Sequence, residues 1–133
     1  YCKMFEKQVV PQLKDVTIYT YLFPLPIHPN AASDAKKIWC SKDRLATWSA
    51  FMQKDTPLPT DVSCDTTGLD KVMKLGTDVV QVDGTPTMVL ENGTILPGML
   101  PADQLNAKLD EISGKVPAAS APVSAAPAAS AAQ

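Results

Sequence analysis

Long apolar runs, charge blocks and histidine are all scarce in this chain of 133 residues. No stretch approaches the ~20 consecutive apolar residues that a bilayer-spanning helix requires. Twelve basic and fourteen acidic side chains give a net charge of -2, with no basic block and no acidic run. That balance argues against nucleic acid as a partner, because phosphate recognition needs a concentrated positive surface. His28 is the single histidine; it stands among prolines with no second ligand at metal-binding spacing, so neither a metal nor any other cofactor is expected. An initiator methionine and a leader with a basic start and an apolar middle are missing as well, so the chain reads as N-terminally truncated. What remains is long enough for one domain with a sizeable core.

Cysteine is the next scarcity: Cys2, Cys40 and Cys64 make an odd count. Cys40 and Cys64 flank a polar, proline-containing segment, and Cys2 stands alone at the start. If those two pair, one thiol is left over, the compartment is oxidising, and the closed loop adds roughly 3–4 kcal/mol in the chain-entropy model. Two buried free cysteines are the other reading, and spacing alone leaves both open.

Periodicity outlines the elements. Residues 2–10 form an amphipathic helix with Met4, Phe5, Val9 and Val10 on the apolar face and Lys3, Glu6, Lys7 and Gln8 on the polar one; Pro11 ends it. Val16 to Leu22 alternates as a strand. Pro24, Pro26 and Pro29 then break any regular ladder. Asn30 or Ser33 caps a helix to about Ser41, and Asp43 caps another to about Gln53, with Leu45, Trp48, Phe51 and Met52 as its buried stripe. A loop from Asp55 to Asp65 leads to a helix on Leu69, Val72, Met73 and Leu75, capped by Thr66 or Thr67, with Gly76 at or near its end. Thr87–Glu91 and Thr94–Leu96 make a hairpin, and Asn92-Gly93 between them signals a type I′ turn. Gly98 is a bend; Leu105, Leu109 and Ile112 stripe a last helix that Gly114 stops. The order is α/β, with a helical insertion between residues 30 and 55. From Pro117 to Gln133 the chain is almost all Ala, Pro and Ser, without charge, and is expected to be disordered.

Two places promise chemistry. Cys2 opens a helix, where partial positive charge and unpaired N–H groups assist an exchanging thiol; a buried small hydrophobe is the bland reading. At Gly84-Thr85-Pro86-Thr87 a proline stands at the first residue of an apolar strand, where a missing N–H is tolerated and the backbone is free to pair with an extended guest peptide. Trp39 and Trp48 fit helical stripes, and Asp55, Asp61 and Asp65 read as solvated carboxylates.

Taken in order, Tyr1-Cys2-Lys3, Tyr21-Leu22-Phe23-Pro24, Ile38-Trp39-Cys40-Ser41-Lys42-Asp43, Ser63-Cys64-Asp65, Gly84-Thr85-Pro86 and Glu91-Asn92-Gly93-Thr94-Ile95-Leu96-Pro97-Gly98 closely resemble the catalytic domain of the DsbC-type periplasmic disulfide isomerases, of the thioredoxin superfamily. The resemblance covers about residues 1–114 and implies a thioredoxin-like fold over residues 1–116. It implies that Cys2 is the resolving cysteine of a C-x-x-C pair, that Tyr1, Thr85 and Pro86 bind substrate with Pro86 cis, and that Cys40 and Cys64 form a structural disulfide. It further implies periplasmic location, disulfide-containing secreted proteins as substrates, a membrane thiol reductase of DsbD type as partner, and a homodimer through a domain not in this chain. The nucleophilic cysteine belongs three residues before Cys2, and the strand ahead of it is likewise not in this chain. The chain as given is therefore expected to fold poorly alone and to be inactive. The alternatives are a non-catalytic peptide-binding chaperone module and a thiol oxidant or reductant.

Overall fold

The computed structural model describes residues 1–114; the segment 117–133, expected to be disordered, lies outside them. The chain forms two compact units, one of Tyr1–Thr17 with the chain from Gly84 onward, the other of Ile18–Asp83.

The first unit opens with one continuous helical run. It is α-helical over Cys2–Met4 (α1), π-wound over Phe5–Val9 and 3-10 over Val10–Gln12. Its apolar positions converge: Phe5 and Val9 are buried with Leu90, Leu100, Ala102 and Leu105, and Met4 of the expected apolar face is exposed. Glu6, assigned to the polar face by a 3.6-residue period, is instead buried, because the wider π turn advances the chain around the axis and brings it beside Phe5. The helix does not stop at Val10. That residue stays helical (φ -51°, ψ -45°), its N–H donating to the Phe5 carbonyl, and the chain leaves only at Leu13 (φ -76°, ψ 142°). Pro11 sits in the first turn of the 3-10 segment, where its absent N–H has no bond to make.

The strands Thr87–Val89 (β1) and Ile95–Pro97 (β2) pair antiparallel, Met88 opposite Leu96. Their connection is not a type I′ turn. Among its residues only Gly93 takes positive φ (91°); Gly93 N–H donates to Leu90 C=O and Leu90 N–H to Thr94 C=O, both at 2.8 Å. This is a three-residue loop, a turn closed by a left-handed glycine, and Asn92 Oδ1 supports it by accepting from Thr94 N–H at 3.0 Å. The last helix, Ala102–Ser113 (α5, numbered after those of the other unit), buries Leu105 and packs Leu109 and Ile112 on the same core. Gly114 ends it at φ 81°.

In the second unit the expected strand at Val16–Leu22 is not a strand. Among the described residues the segment has no ladder partner, and Ile18, Tyr19 and Tyr21 are exposed. Alternation supplies the pattern of a strand; a neighbour supplies the strand. Helices Ala31–Trp39 (α2) and Arg44–Lys54 (α3) form the insertion. Neither Asn30 nor Ser33 caps α2 with its side chain, whereas Asp43 caps α3 by accepting from Ala46 N–H at 3.0 Å. Of the expected stripe Met52 is buried, Trp48 and Phe51 are half-buried, and Leu45, the second residue of the helix, is exposed. Helix Thr67–Leu75 (α4) runs on into a π-wound Gly76–Val80 that closes at Gln81 (φ 60°). Gly76 therefore sits inside the helical run. A Cβ there would fall 2.4 Å from a ring carbon of Phe23, so only glycine lets the run pass that ring.

Neither Thr66 nor Thr67 caps α4 with its own side chain. Asp65 does this instead, its Oδ1 accepting from Thr67 Oγ1 and from Thr67 N–H. Those two bonds, the hydroxyl first, hold the Asp65 carboxyl below its ordinary value of 3.8. A depressed folded value means the contribution is complete above 3.8 and is lost as pH falls through the folded value. Asp65→Ala is therefore expected to lower the melting temperature at neutral pH and to converge with the parent below pH 3.8; a deficit constant with pH would contradict this. Gly76→Ala is expected to cost about 1–3 kcal/mol in chemical denaturation, since an overpacked ring must move.

Candidate active site

Cys2 is the first residue of α1, half-buried, and the free cysteine among the described residues. Tyr1 precedes it, exposed, with its carbonyl accepting from Phe5 N–H at 2.8 Å. Helical side chains three and four residues along share a face. The same run that buries Phe5 and Val9 therefore fixes the end on which the thiol is carried.

The second element is the loop into β1. The Thr85–Pro86 peptide bond is cis. Gly98 takes φ 83°, and its N–H donates to the Pro86 carbonyl at 2.8 Å. That bond and the one from Leu90 to Thr94 keep a common register with Met88 opposite Leu96. In an antiparallel pair, opposed residues alternate between bonded and non-bonded. The bonded positions on this side are Pro86, Met88 and Leu90, so Thr87 and Val89 turn their N–H and C=O groups to the outer edge. Both prolines suit the scheme. Pro97 stands opposite Thr87 at a non-bonded pair, and Pro86 meets Gly98 with its carbonyl alone. Among the described residues neither backbone group of Thr85 has a hydrogen-bond partner.

Cys2 and the Thr85–Pro86 loop belong to one unit and rest on one core: Phe5 and Val9 come from the helix, Leu90 from the end of β1, Leu100 from the chain after Gly98. Cys40 and Cys64 belong to the other unit, where they are joined by a disulfide with Cα atoms 5.4 Å apart. The surroundings of that bond are more elaborate than the sequence suggests. Trp39 Nε1–H donates to the Asp65 carbonyl at 3.3 Å. The Arg44 guanidinium lies 3.9 Å from the centre of the Trp39 ring, and its Nε donates to the Trp39 carbonyl at 2.6 Å. A Cβ at Gly68 would strike the same ring at 2.4 Å. Trp39, read as a core residue, is thus half-exposed and serves as a platform for a cation of its own unit. An arginine five residues after a tryptophan was the one available signal. His28 is exposed in its loop.

A shallow cavity of about 520 Å³ lies apart from these groups, lined by Pro11, Leu13, Lys14, Asp103 and Asn106 among others. Asn106 works there as a joint: its Nδ2–H donates to Gln12 C=O at 2.9 Å and its Oδ1 accepts from Lys14 N–H at 3.1 Å. No cysteine is among its lining residues.

Known proteins resemble this chain over nearly all of its described residues. The profile of the thioredoxin-like domain family matches residues 1–113. The chain belongs to that family. It is 31% identical over 109 residues to the probable thiol:disulfide interchange protein DsbC of Bordetella pertussis, which covers 82% of this chain and 37% of that protein. Thiol:disulfide interchange protein DsbC of Escherichia coli is 33% identical over 113 residues, covering 84% of this chain and 46% of that protein. A disulfide interchange protein from Neisseria gonorrhoeae has a crystal structure similar at a TM-score of 0.74 and 33% identity, covering 83% of this chain and 77% of that one. These similarities bear out the DsbC-type resemblance and the thioredoxin-like fold. The chain spans less than half the length of the curated relatives it matches.

The free-thiol count is directly measurable. The oxidised, folded chain is expected to titrate one thiol with Ellman's reagent and three after reduction and unfolding. Three thiols before reduction would rule out the Cys40–Cys64 bond.

Proposed function

We propose that this chain is the catalytic portion of a DsbC-type disulfide isomerase that rearranges incorrect disulfides in secreted proteins of the periplasm. One observation carries the reading: a helix-initial free thiol and a Thr85 backbone unpaired among the described residues are mounted on one hydrophobic core. The oxidised Cys40–Cys64 pair supports an oxidising compartment.

In this reading a cysteine three positions before Cys2 is the nucleophile. Its thiolate attacks one sulfur of a substrate disulfide; a mixed disulfide forms, and the other substrate sulfur leaves as thiolate. While Thr85 holds the substrate backbone as an added strand, that thiolate attacks elsewhere and the disulfides rearrange. Alternatively the Cys2 thiolate attacks the nucleophile's sulfur, releases the substrate reduced, and closes the C-x-x-C disulfide. The cycle then needs an electron donor, for which a membrane thiol reductase of DsbD type is the fitting partner. Residues beyond this chain would supply a homodimer contact. No helix among the described residues is long and apolar enough to cross a membrane.

A second reading rests on the same edge: a chaperone module that holds extended peptide at Thr85 and makes no use of Cys2. Trapping separates the two. In the intact protein, Cys2→Ser removes the resolving thiol, so incubation with scrambled ribonuclease is expected to accumulate an adduct that dithiothreitol dissolves. The 133-residue chain alone is expected to show no isomerase activity, for lack of the nucleophile. Aggregation suppression with no adduct and no exchange in the intact protein would move the assignment to the chaperone module.

A further inference from the structure

The loop before β1 has three carbonyls in a row, at Gly84, Thr85 and Pro86, and two of them are occupied. Thr87 Oγ1–H donates back to Gly84 C=O at 2.6 Å, a part-buried contact across three residues. Gly98 N–H donates to Pro86 C=O at 2.8 Å. Thr85, between the two, keeps both backbone groups unpaired among the described residues.

We infer that the Thr87 hydroxyl is a positioning group for substrate: by holding Gly84 it sets the plane of Thr85, so that an extended polypeptide pairs there through backbone bonds. The inference rests on the peptide-holding role proposed above and names the side chain that prepares it.

Three features of the structure favour this role over simple loop closure. First, Thr87 is a strand residue whose own N–H and C=O point outward, so the hydroxyl is not needed to satisfy its backbone. Second, threonine is β-branched and stiff at χ1, so a bond fixed at Oγ1 transmits the orientation of the strand to the loop. Third, the two pins come from opposite sides, a side chain of β1 for Gly84 and the backbone beyond β2 for Pro86. A peptide plane held at both neighbours loses little further freedom when a guest binds, and preorganisation of that kind appears in affinity. The ligand class follows from the groups on offer. One N–H and one C=O of a single residue are read by another backbone in extended form, with no charge and no side-chain pocket required, so tolerance of substrate sequence is expected.

The test uses the intact protein and a short, cysteine-free, fluorescein-labelled peptide rich in Val, Ser and Thr, with anisotropy as the binding signal. Thr87→Val keeps the branched shape and deletes the hydroxyl; Thr87→Ser keeps the hydroxyl. Thr87→Val is expected to weaken binding about three- to tenfold, the effect of one hydrogen bond, and Thr87→Ser to restore it to within about twofold. A purely structural role would lower the melting temperature of Thr87→Val and leave Kd unchanged well below that temperature, and that result overturns the inference. No binding by the intact parent protein would instead overturn the peptide-holding reading itself. A measurement on the unaltered protein covers a variant that fails to fold. The Thr85 amide is expected to exchange freely without peptide and to be protected with it, while Met88, already paired in the ladder, is unchanged. Absence of protection at Thr85 under saturating peptide overturns the inference too.

Discussion

The hydrogen bond from Gly98 N–H to Pro86 C=O sets what the rest of the first unit can do. It fixes the register of β1 on β2 one step beyond the ladder, and with it which backbone groups face inward and which face out. A shift of one residue would turn every alternate group over. Pro86 would then turn its carbonyl away from the partner, and Gly98 N–H would lose its acceptor. Glycine at position 98 is part of the same constraint, because its φ of 83° is a region that a side chain enters only under strain. The edge at Thr85 is therefore a consequence of turn chemistry at both ends of the hairpin, with Gly93 closing one end and Gly98 the other.

The hydrophobic core links that edge to the thiol. Phe5 and Val9 face the same cluster as Leu90 and Leu100, so the helix carrying Cys2 and the hairpin carrying Pro86 cannot be placed independently. Thiol exchange places such a demand on a fold: a sulfur at the end of a rigid helix, and a place to hold substrate backbone built on the same support. The second unit is organised around a different bond. Cys40–Cys64, the Trp39 indole bonded to the Asp65 carbonyl, and the Asp65 carboxylate capping α4 form a chain of local contacts. These join the helical insertion to the helix that follows it.

How far these arrangements can be read from sequence depends on how local their causes are. The capping role of Asp43, the stops at Gly98 and Gly114, and the stripe of Leu105, Leu109 and Ile112 are set by neighbours within a turn or two, and all are legible. The hairpin was legible as a hairpin. Its turn type was not, because Asn-Gly fits two loop lengths and the ladder decides between them. Val16–Leu22 has the alternation of a strand but, among the described residues, no partner; pairing is a tertiary event that periodicity does not report. Glu6 and Leu45 were misplaced because a fixed 3.6-residue period ignores the π winding of the first helix and the shallow burial of α3. The bond from Thr87 to Gly84 was invisible, since a threonine opening a strand is common and only coordinates show which carbonyl its hydroxyl reaches. The functional reading came through motifs in order rather than through any single residue: a cysteine before a helix says little until Thr85-Pro86 and Trp39-Cys40 stand at their places behind it.

The central claim is that Cys2 is one half of an exchanging pair, and the most direct measurement is the coding sequence immediately upstream of Tyr1. The account predicts a cysteine three residues before Cys2, following an apolar strand pattern. Serine, alanine or any other residue at that position would contradict it, leaving Cys2 without its partner and the Thr85 edge as the working part of a binding module.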